Sequence, residues 1–319
     1  MSGAGGGAGL GRRLREGETS AAPAALNVLE SRAPEHRREA EALLAEVSPA
    51  ALGGEAPGHV VGVTGPPGVG KSSLLSELVR AWRGRERSVA VLAVDPSSRR
   101  SGGALLGDRA RIHSDPADDG VFIRSTAAGE QLGGLAPATR AASAALAAAF
   151  DVVVIETVGV GQSETDVAEV ADTVAVIVQP GSGDILQFLK SGIMEVPDVL
   201  VVTKGDLGRI ALRAQRDARG ALRSLGAGET PVLAVSSLSP VSGIDELIEA
   251  LDEHRARVDV AGRRAAARRR HALADFAQEH GARGLRALGG RRAAERWLDR
   301  QDAGLDVVAL RRGLEGRVG

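Results

Sequence analysis

Residues 59–73 read HVVGVT-GPPGVGKSS: six mostly β-branched residues, a turn of Gly and Pro, then Lys and two Ser. The first six show no polar alternation, the pattern of a strand buried on both faces, and 72–82 carry the apolar spacing of a helix. Within this strand, turn and helix, Gly65, Gly70, Lys71 and Ser72 stand in the G-x4-G-K-S/T spacing. Each residue type has a reason. Glycines let backbone N–H groups turn inward around phosphate oxygens, and a helix N-terminus favours negative charge. The Lys71 ammonium can reach the terminal phosphates, and the Ser72 hydroxyl can hold Mg2+. Gly65, Pro66, Pro67, Gly68, Val69, Gly70, Lys71, Ser72 and Ser73 are therefore candidate phosphate ligands, and the stretch implies a nucleoside triphosphate.

Outward from this point, six more apolar runs follow at 88–94, 121–124, 151–156, 173–179, 198–203 and 231–237. Helix-like segments lie between them, at 135–149, 207–225 and 244–257 as well as 72–82. Continuous apolar strands alternating with helices predict an α/β fold, a doubly wound and mostly parallel sheet with helices on both faces. The Gly- and Pro-bearing stretch ALGGEAPG, 51–58, marks the entry to it. Residues 1–57 are expected to form an N-terminal extension, mobile over the Gly-rich 1–20 and helical over 22–47 with an interruption near Pro34. The phosphate-loop domain is expected over 58–257. From 258 to 319 strand signals vanish, and an Ala- and Arg-rich arm, broken near Gly281, Gly289 and Gly290, is expected to be helical. It is too narrow to build a core alone, so it is predicted to pack on the main domain or on a second subunit.

Composition narrows the chemistry. Of 319 residues 43% are apolar and 25% charged, enough for a buried core, yet aromatics are only 2%, so Ala, Val and Leu must fill it. No cysteine is present, which excludes disulfides, thiolate metal sites and thiol nucleophiles. The six His do not cluster in sequence. The net charge of −1 offers no global field for nucleic acid or membrane. Residues 254–319 hold sixteen Arg against eight Asp and Glu, net +8, which leaves −9 for 1–253. That reads as a solvated helical tail, and the scarcity of aromatics counts against a single-strand stacking platform. No apolar run approaches the roughly 18 residues of a membrane span, and the start lacks an apolar signal region. The expected location is cytoplasmic, with no membrane and no nucleic acid as partner.

Three further segments bear on the nucleotide. After the run DVLVVT come Thr203, Lys204, Gly205 and Asp206, which resemble the guanine-reading N/T-K-x-D motif of GTPases. An Asp carboxylate accepts from both guanine N1–H and its exocyclic amine, a pair of donors that adenine lacks, and the Lys stem can cover the base face. One βα unit later Ser236, Ser237 and Leu238 stand where a second base-contacting loop belongs. Glu156 ends the run DVVVIE, a position from which an acidic group meets Mg2+ or its water shell, and Gly159 and Gly161 make the following segment pliable enough to sense a γ-phosphate. Asp95, directly after a strand, and Asp108, in a glycine-flanked loop, are carboxylates suited to hard Mg2+.

Together these segments resemble the MeaB/ArgK family, the GTPases associated with methylmalonyl-CoA mutase and related cobalamin-dependent acyl-CoA mutases. The matching stretches are GPPGVGKSS (65–73), VLAVDPSSRRSGGALLGDRARI (91–112), QLGGLAPATR (131–140), DVVVIETVGVGQSETDVAEVAD (151–172), QPGSGDILQFLKSGIME (179–195) and VVTKGDL (201–207), in order and spacing. The resemblance implies a Mg2+-dependent GTPase, using GTP and GDP, that chaperones such a mutase as a homodimer, gating adenosylcobalamin delivery and protecting or restoring the holoenzyme. It places Ser72, Asp95, Asp108 and Glu156 around Mg2+, Asp206 on guanine, and 180–190 in a loop coupling nucleotide state to the mutase. It implies a dimer built through the C-terminal helices. For hydrolysis, Lys71 and backbone N–H groups stabilise the γ-phosphoryl, Glu156 supports the metal, and Gln162 is the candidate to position water. The sequence departs from the family at Thr203, where Asn is common, at RRSGGA (99–104) and at Val196 and Pro197; these bear on nucleotide affinity and on the partner.

Two other readings share the fold. A metal-insertion GTPase would carry Cys or clustered His, which this sequence lacks. An ATP-dependent kinase or ATPase conflicts with the Thr203 to Asp206 segment.

Overall fold

The computed structural model of the chain describes residues 6–31, 33–95, 112–127, 135–157, 167–181 and 197–318, with Asp95 and Ala127 as backbone. The expected mobile start gives way at Gly7 to a helix, α1 (Gly7–Arg15), followed by α2 (Ala22–Glu30), α3 (Pro34–Glu46) and the single turn α4 (Pro49–Leu52). Glycine builds α1 rather than dissolving it. Gly7 and Gly11 lie one turn apart, and a Cβ on them would sit 1.9 Å from the Glu39 carbonyl oxygen and 2.6 Å from that of Leu43. Their missing side chains let α1 press against the α3 backbone, while Leu10 and Leu14 are buried beside them. Pro34 opens α3 at a position where its missing N–H costs nothing.

All seven apolar runs become strands: β1 (His59–Thr64), β2 (Val89–Asp95), β3 (Val121–Ala127), β4 (Val152–Thr157), β5 (Thr173–Val178), β6 (Val199–Val202) and β7 (Val232–Ala234). They form one sheet in the order β3-β2-β4-β1-β5-β6-β7, every neighbouring pair parallel. The chain runs to one side of β1, returns to β4, and then builds out the other side, so the sheet is doubly wound about β1. The described crossover helices are α5 (Lys71–Gly84), α6 (Pro137–Ala147), α7 (Arg209–Ser224) and α8 (Ile244–Arg257). Every residue of β1, β4, β5 and β6 is buried, as continuous β-branched runs require. On one face Val61, Val63, Val154, Ile177 and Val201 pack with Leu74, Leu78, Trp82, Leu247 and Leu251 of the helices. On the other, a Cβ on Gly62 would lie 2.7 Å from the Val167 side chain and 3.1 Å from that of Ala171, so the segment before β5 sits hard against β1.

At the amino-terminal edge of the sheet a chain of polar side chains ties β1, β5 and β6 to α8. His59 Nε2 lies 2.9 Å from Thr173 Oγ1, which lies 2.8 Å from His254 Nδ1, and His254 Nε2 is 2.9 Å from Asp198 Oδ1. Burial lowers the pKa of His59 against the opposing pull of Asp252, whose carboxylate is 3.7 Å from Nδ1. Unfolded His59 takes a proton near its ordinary 6.5, the folded residue only at lower pH. Between those two values the unfolded state holds more protons, so stability falls as pH drops below about 6.5 and levels off beneath the folded pKa. Thermal unfolding followed from pH 8 to pH 5 is expected to show Tm falling through this window, with a shallower fall in His59→Asn. A fall of equal slope in the variant would exclude His59 as its source.

The C-terminal residues form α9 (Val260–Ala287), broken at Gly281 (φ 60°, ψ −163°), then α10 (Arg291–Leu298) and α11 (Val307–Glu315). Asp259 and Asp306 cap α9 and α11 by accepting from the backbone N–H of Gly262 and Ala309 at 2.9 and 2.7 Å. The expectation that this arm lacks a core of its own is not met, because Ala272, Leu273, Phe276, Ala294, Leu298, Leu310 and Leu314 cluster between its helices. Nor does it stand apart from the N-terminal extension. Residues 1–57 and 259–319 make one compact unit, and 58–258 make the other. In the helical unit Arg268 clasps both carboxylate oxygens of Glu55 at 2.6 and 3.0 Å, Arg264 donates to the Ala56 carbonyl at 2.7 Å, and Arg312 pairs with Glu41.

Candidate nucleotide site

The turn after β1 can exist only with glycine. Gly65 has φ +149°, and a Cβ there would sit 2.1 Å from the Ile177 carbonyl oxygen on β5, so the chain leaves the sheet by passing against a neighbouring strand. Gly70, left-handed at φ +95°, is the residue before α5, so the free N–H groups of that helix open onto the loop. Pro66 is half-buried, Pro67 and Gly68 exposed, Val69 buried, Ser72 half-buried and Ser73 exposed. Lys71 is only 7% exposed, and its Nζ donates back across the loop to the carbonyls of Gly65 at 2.7 Å and Pro66 at 3.2 Å. The ammonium thus lies inside the loop.

The base-reading segment leaves β6 beside this loop. Thr203, 3% exposed, donates its hydroxyl to the Val69 carbonyl at 2.6 Å, with the Val178 carbonyl 3.1 Å away. The departure from Asn therefore keeps the tie between the two loops. Lys204 is left-handed (φ 56°) and exposed; Asp206 lies exposed in a single 3-10 turn, Gly205–Leu207. Ser236 follows β7, with its Oγ 3.4 Å from Asp206 Oδ1 and accepting from the Leu238 N–H at 3.2 Å. Ser237 is half-buried and Leu238 63% exposed, an uncovered apolar side chain at the rim. The structure so brings Thr203, Lys204, Asp206, Ser236, Ser237 and Leu238 to one end of the sheet. Gly205, which composition and spacing did not single out, locks the two loops: its N–H donates to the Val235 carbonyl at 2.8 Å, and a Cβ would lie 3.0 Å from the Val235 carbonyl carbon. Its place between Lys204 and Asp206 was the only signal.

Thr203→Val should keep the shape and orphan the Val69 carbonyl, costing about 1–3 kcal/mol shared between fold and nucleotide binding. A lower Tm with weaker GDP binding by calorimetry is the expected result; unchanged GDP affinity would show that the tie does not position the loop.

Glu156 is buried (4%) at the end of β4, opposite Val63 of β1 and Ala93 of β2. Asp95 ends β2, so its backbone is at the same carboxyl-terminal edge as Glu156 and the phosphate loop. Ser72 stands on the first turn of α5, directly after the phosphate loop. The Glu156 carboxylate and the Ser72 hydroxyl are oxygen ligands, the kind a hard Mg2+ takes, and they fit that ion. Asp108, Gln162 and residues 182–190 lie outside the described residues.

The six His, apart in sequence, come nearest to metal-binding company in the helical unit, where ligand atoms of Glu279, His280 and Glu315 lie within 4.8 Å of one another. Arg311 already supplies the cation there, at 2.8 Å from Glu279 and 3.5 Å from Glu315. Among the described residues no helix is long and apolar enough to cross a membrane.

The family described as methylmalonyl Co-A mutase-associated GTPase MeaB matches residues 2–282. The chain belongs to the MeaB family. It is a P-loop GTPase that binds guanine nucleotide. A protein of Mycobacterium tuberculosis described as a probable GTPase is 40% identical over 268 residues, 82% of this chain and 78% of that one. The methylmalonic aciduria type A homolog, mitochondrial, of Caenorhabditis elegans is 38% identical over 227 residues, 67% of this chain and 56% of the relative. The crystal structure of an LAO/AO transport system kinase superposes with a TM-score of 0.64 at 28% identity, covering 96% of this chain and 95% of that one.

Proposed function

We propose that this MeaB-family GTPase is a Mg2+-dependent chaperone of a cobalamin-dependent acyl-CoA mutase, methylmalonyl-CoA mutase or a relative, gating adenosylcobalamin loading and protecting or reactivating the enzyme. The observation that carries the GTP half is the Thr203 bond to Val69, which places Asp206 and Ser236 at a set position relative to the phosphate loop. The mutase half is supported by the family description and by the nematode relative.

In this reading Gly65 to Ser73 cradle the phosphates with backbone N–H groups, and Lys71 exchanges its two carbonyl partners for phosphate oxygens. Asp206 accepts from guanine N1–H and the exocyclic amine, Lys204 covers the base, Thr203 holds the loop, and Ser236, Ser237 and Leu238 close its rim. Ser72, Asp95, Asp108 and Glu156 would hold Mg2+, which supplies charge neutralisation at the β- and γ-phosphate oxygens. Gln162 orients a water for attack on the γ-phosphorus. The P–O bond to the β-phosphate breaks as the new one forms, giving GDP, inorganic phosphate and one proton. Because the protein forms no covalent bond, its rate comes from positioning and from preorganised charge. Switching would pass through 180–190, the homodimer through the C-terminal helices of the 258–319 arm, and the site of action would be the cytoplasm, without nucleic acid or membrane.

Metal insertion is the weaker reading because Arg311 already fills the Glu279, His280 and Glu315 group. The deciding experiment is turnover of GTP and ATP with Mg2+, alone and with purified methylmalonyl-CoA and isobutyryl-CoA mutases. Slow GTP hydrolysis accelerated by one mutase is expected. Preference for ATP would overturn the base assignment, and indifference to both mutases would overturn the partner.

A further inference from the structure

Large apolar side chains left exposed among the described residues all fall between 207 and 241: Leu207, Ile210, Leu212, Leu225, Leu238 and Val241, from 39% to 63% exposed. This stretch is also basic, with five Arg against one Asp between 207 and 225. Helix α7 organises it. Its inner face, Ala211, Ala214, Ala218, Ala221 and Leu222, is buried on the sheet. On the outer side Arg209, Leu212, Arg216, Arg219 and Arg223 follow one another at spacings of three and four, with Arg219 turned back to the Val232 carbonyl of β7 at 3.2 Å. Arg209, Arg216 and Arg223 are exposed and have no carboxylate partner among the described residues. Elsewhere in the same unit Arg83, Arg85 and Arg87 each find an Asp, at 2.8, 2.7 and 2.9 Å.

We infer that the outer stripe of α7, with Leu212 in its first turn and Leu238 and Val241 beside the base loops, is a docking surface for a carboxylate-bearing helix of a protein partner. Spacing of three and four is what a packed helix presents, and unpaired guanidiniums call for carboxylates in bidentate reach. Exposed aliphatic side chains mixed with arginine favour a protein over nucleic acid, which gains nothing from Leu and Ile. A membrane fits less well, because the apolar face of α7 is already buried against the sheet. The stripe starts three residues beyond Asp206, and Gly205 is bonded to the Ser236 loop through Val235. A helix seated there would therefore lie against both base-reading segments. This inference rests on the mutase reading and names the face the mutase would engage.

The test measures binding of full-length protein to methylmalonyl-CoA and isobutyryl-CoA mutases by calorimetry, together with basal and stimulated GTP turnover. Arg216→Glu/Arg223→Glu changes two exposed side chains outside the nucleotide machinery, so folding and basal turnover should match wild type. At least tenfold weaker binding and loss of stimulation is the expected result, with Arg216→Lys/Arg223→Lys falling between. If wild type binds a mutase and the Glu variant binds it within twofold, the docking surface is wrong and the mutase reading stands. If wild type binds neither, the mutase reading falls and this inference with it. Salt-sensitive retention of wild type but not of the Glu variant on a DNA column, without mutase binding, would assign the stripe to nucleic acid instead.

Discussion

Lys71→Met is expected to lower GTP turnover by about two to three orders of magnitude, the usual cost of removing one preorganised group from a developing phosphoryl charge. Met keeps the apolar stem in its buried channel and drops only the ammonium, which in the ligand-free chain bonds the Gly65 and Pro66 carbonyls. Gly65 is buried and Pro66 half-buried, so leaving the Gly65 carbonyl without its donor should cost the fold about 1–3 kcal/mol. A variant that still folds cooperatively, with a modestly lower Tm and a turnover reduced a hundredfold or more at a temperature where it is fully folded, would place the effect in the chemistry. Turnover within tenfold of wild type would remove Lys71 from the machinery and shift its role to the backbone N–H groups at the start of α5.

Asp206→Asn is expected to weaken GTP binding by about a hundredfold, while xanthosine triphosphate gains. A hydrogen bond to a charged group contributes about 1.5–3 kcal/mol, and the new amide turns one acceptor into a donor facing guanine's amine. Xanthine carries a carbonyl at that place and would accept from it. Competition of the two nucleotides by fluorescence displacement reads the exchange directly. Equal losses for both bases would mean that Asp206 holds the loop rather than reading the base. The 3.4 Å approach of Ser236 Oγ to Asp206 allows such a role.

Most of the sheet was legible because its strands are uniform. Continuous Val-rich runs can be buried only on both faces, and that alone implies parallel strands covered by helices. The phosphate loop was legible for a different reason: a tight turn, a helix start and a reaching cation leave little freedom of residue type at Gly65, Gly70, Lys71 and Ser72. The helix over 7–15 was not legible because glycine lowers helix propensity, and propensity says nothing of what a helix packs against. At Gly7 and Gly11 the missing Cβ is what allows α1 to lie on α3.

Thr203 marks the same boundary within the site. As a residue type it departs from the guanine motif, and nothing local tells whether the departure loses a contact. The answer depends on where the Val69 carbonyl stands, a residue 134 positions away that only the folded sheet brings within 2.6 Å. Sequence alone therefore determined the fold class, the nucleotide loop and the family, since each is written in residue types at short spacing. The tertiary structure decided that the two ends of the chain make one helical unit, that Thr203 ties base loop to phosphate loop, and that Arg209, Arg216 and Arg223 of α7 stand exposed with no carboxylate partner among the described residues. Those facts depend on close approach between distant segments, and no local spacing records it.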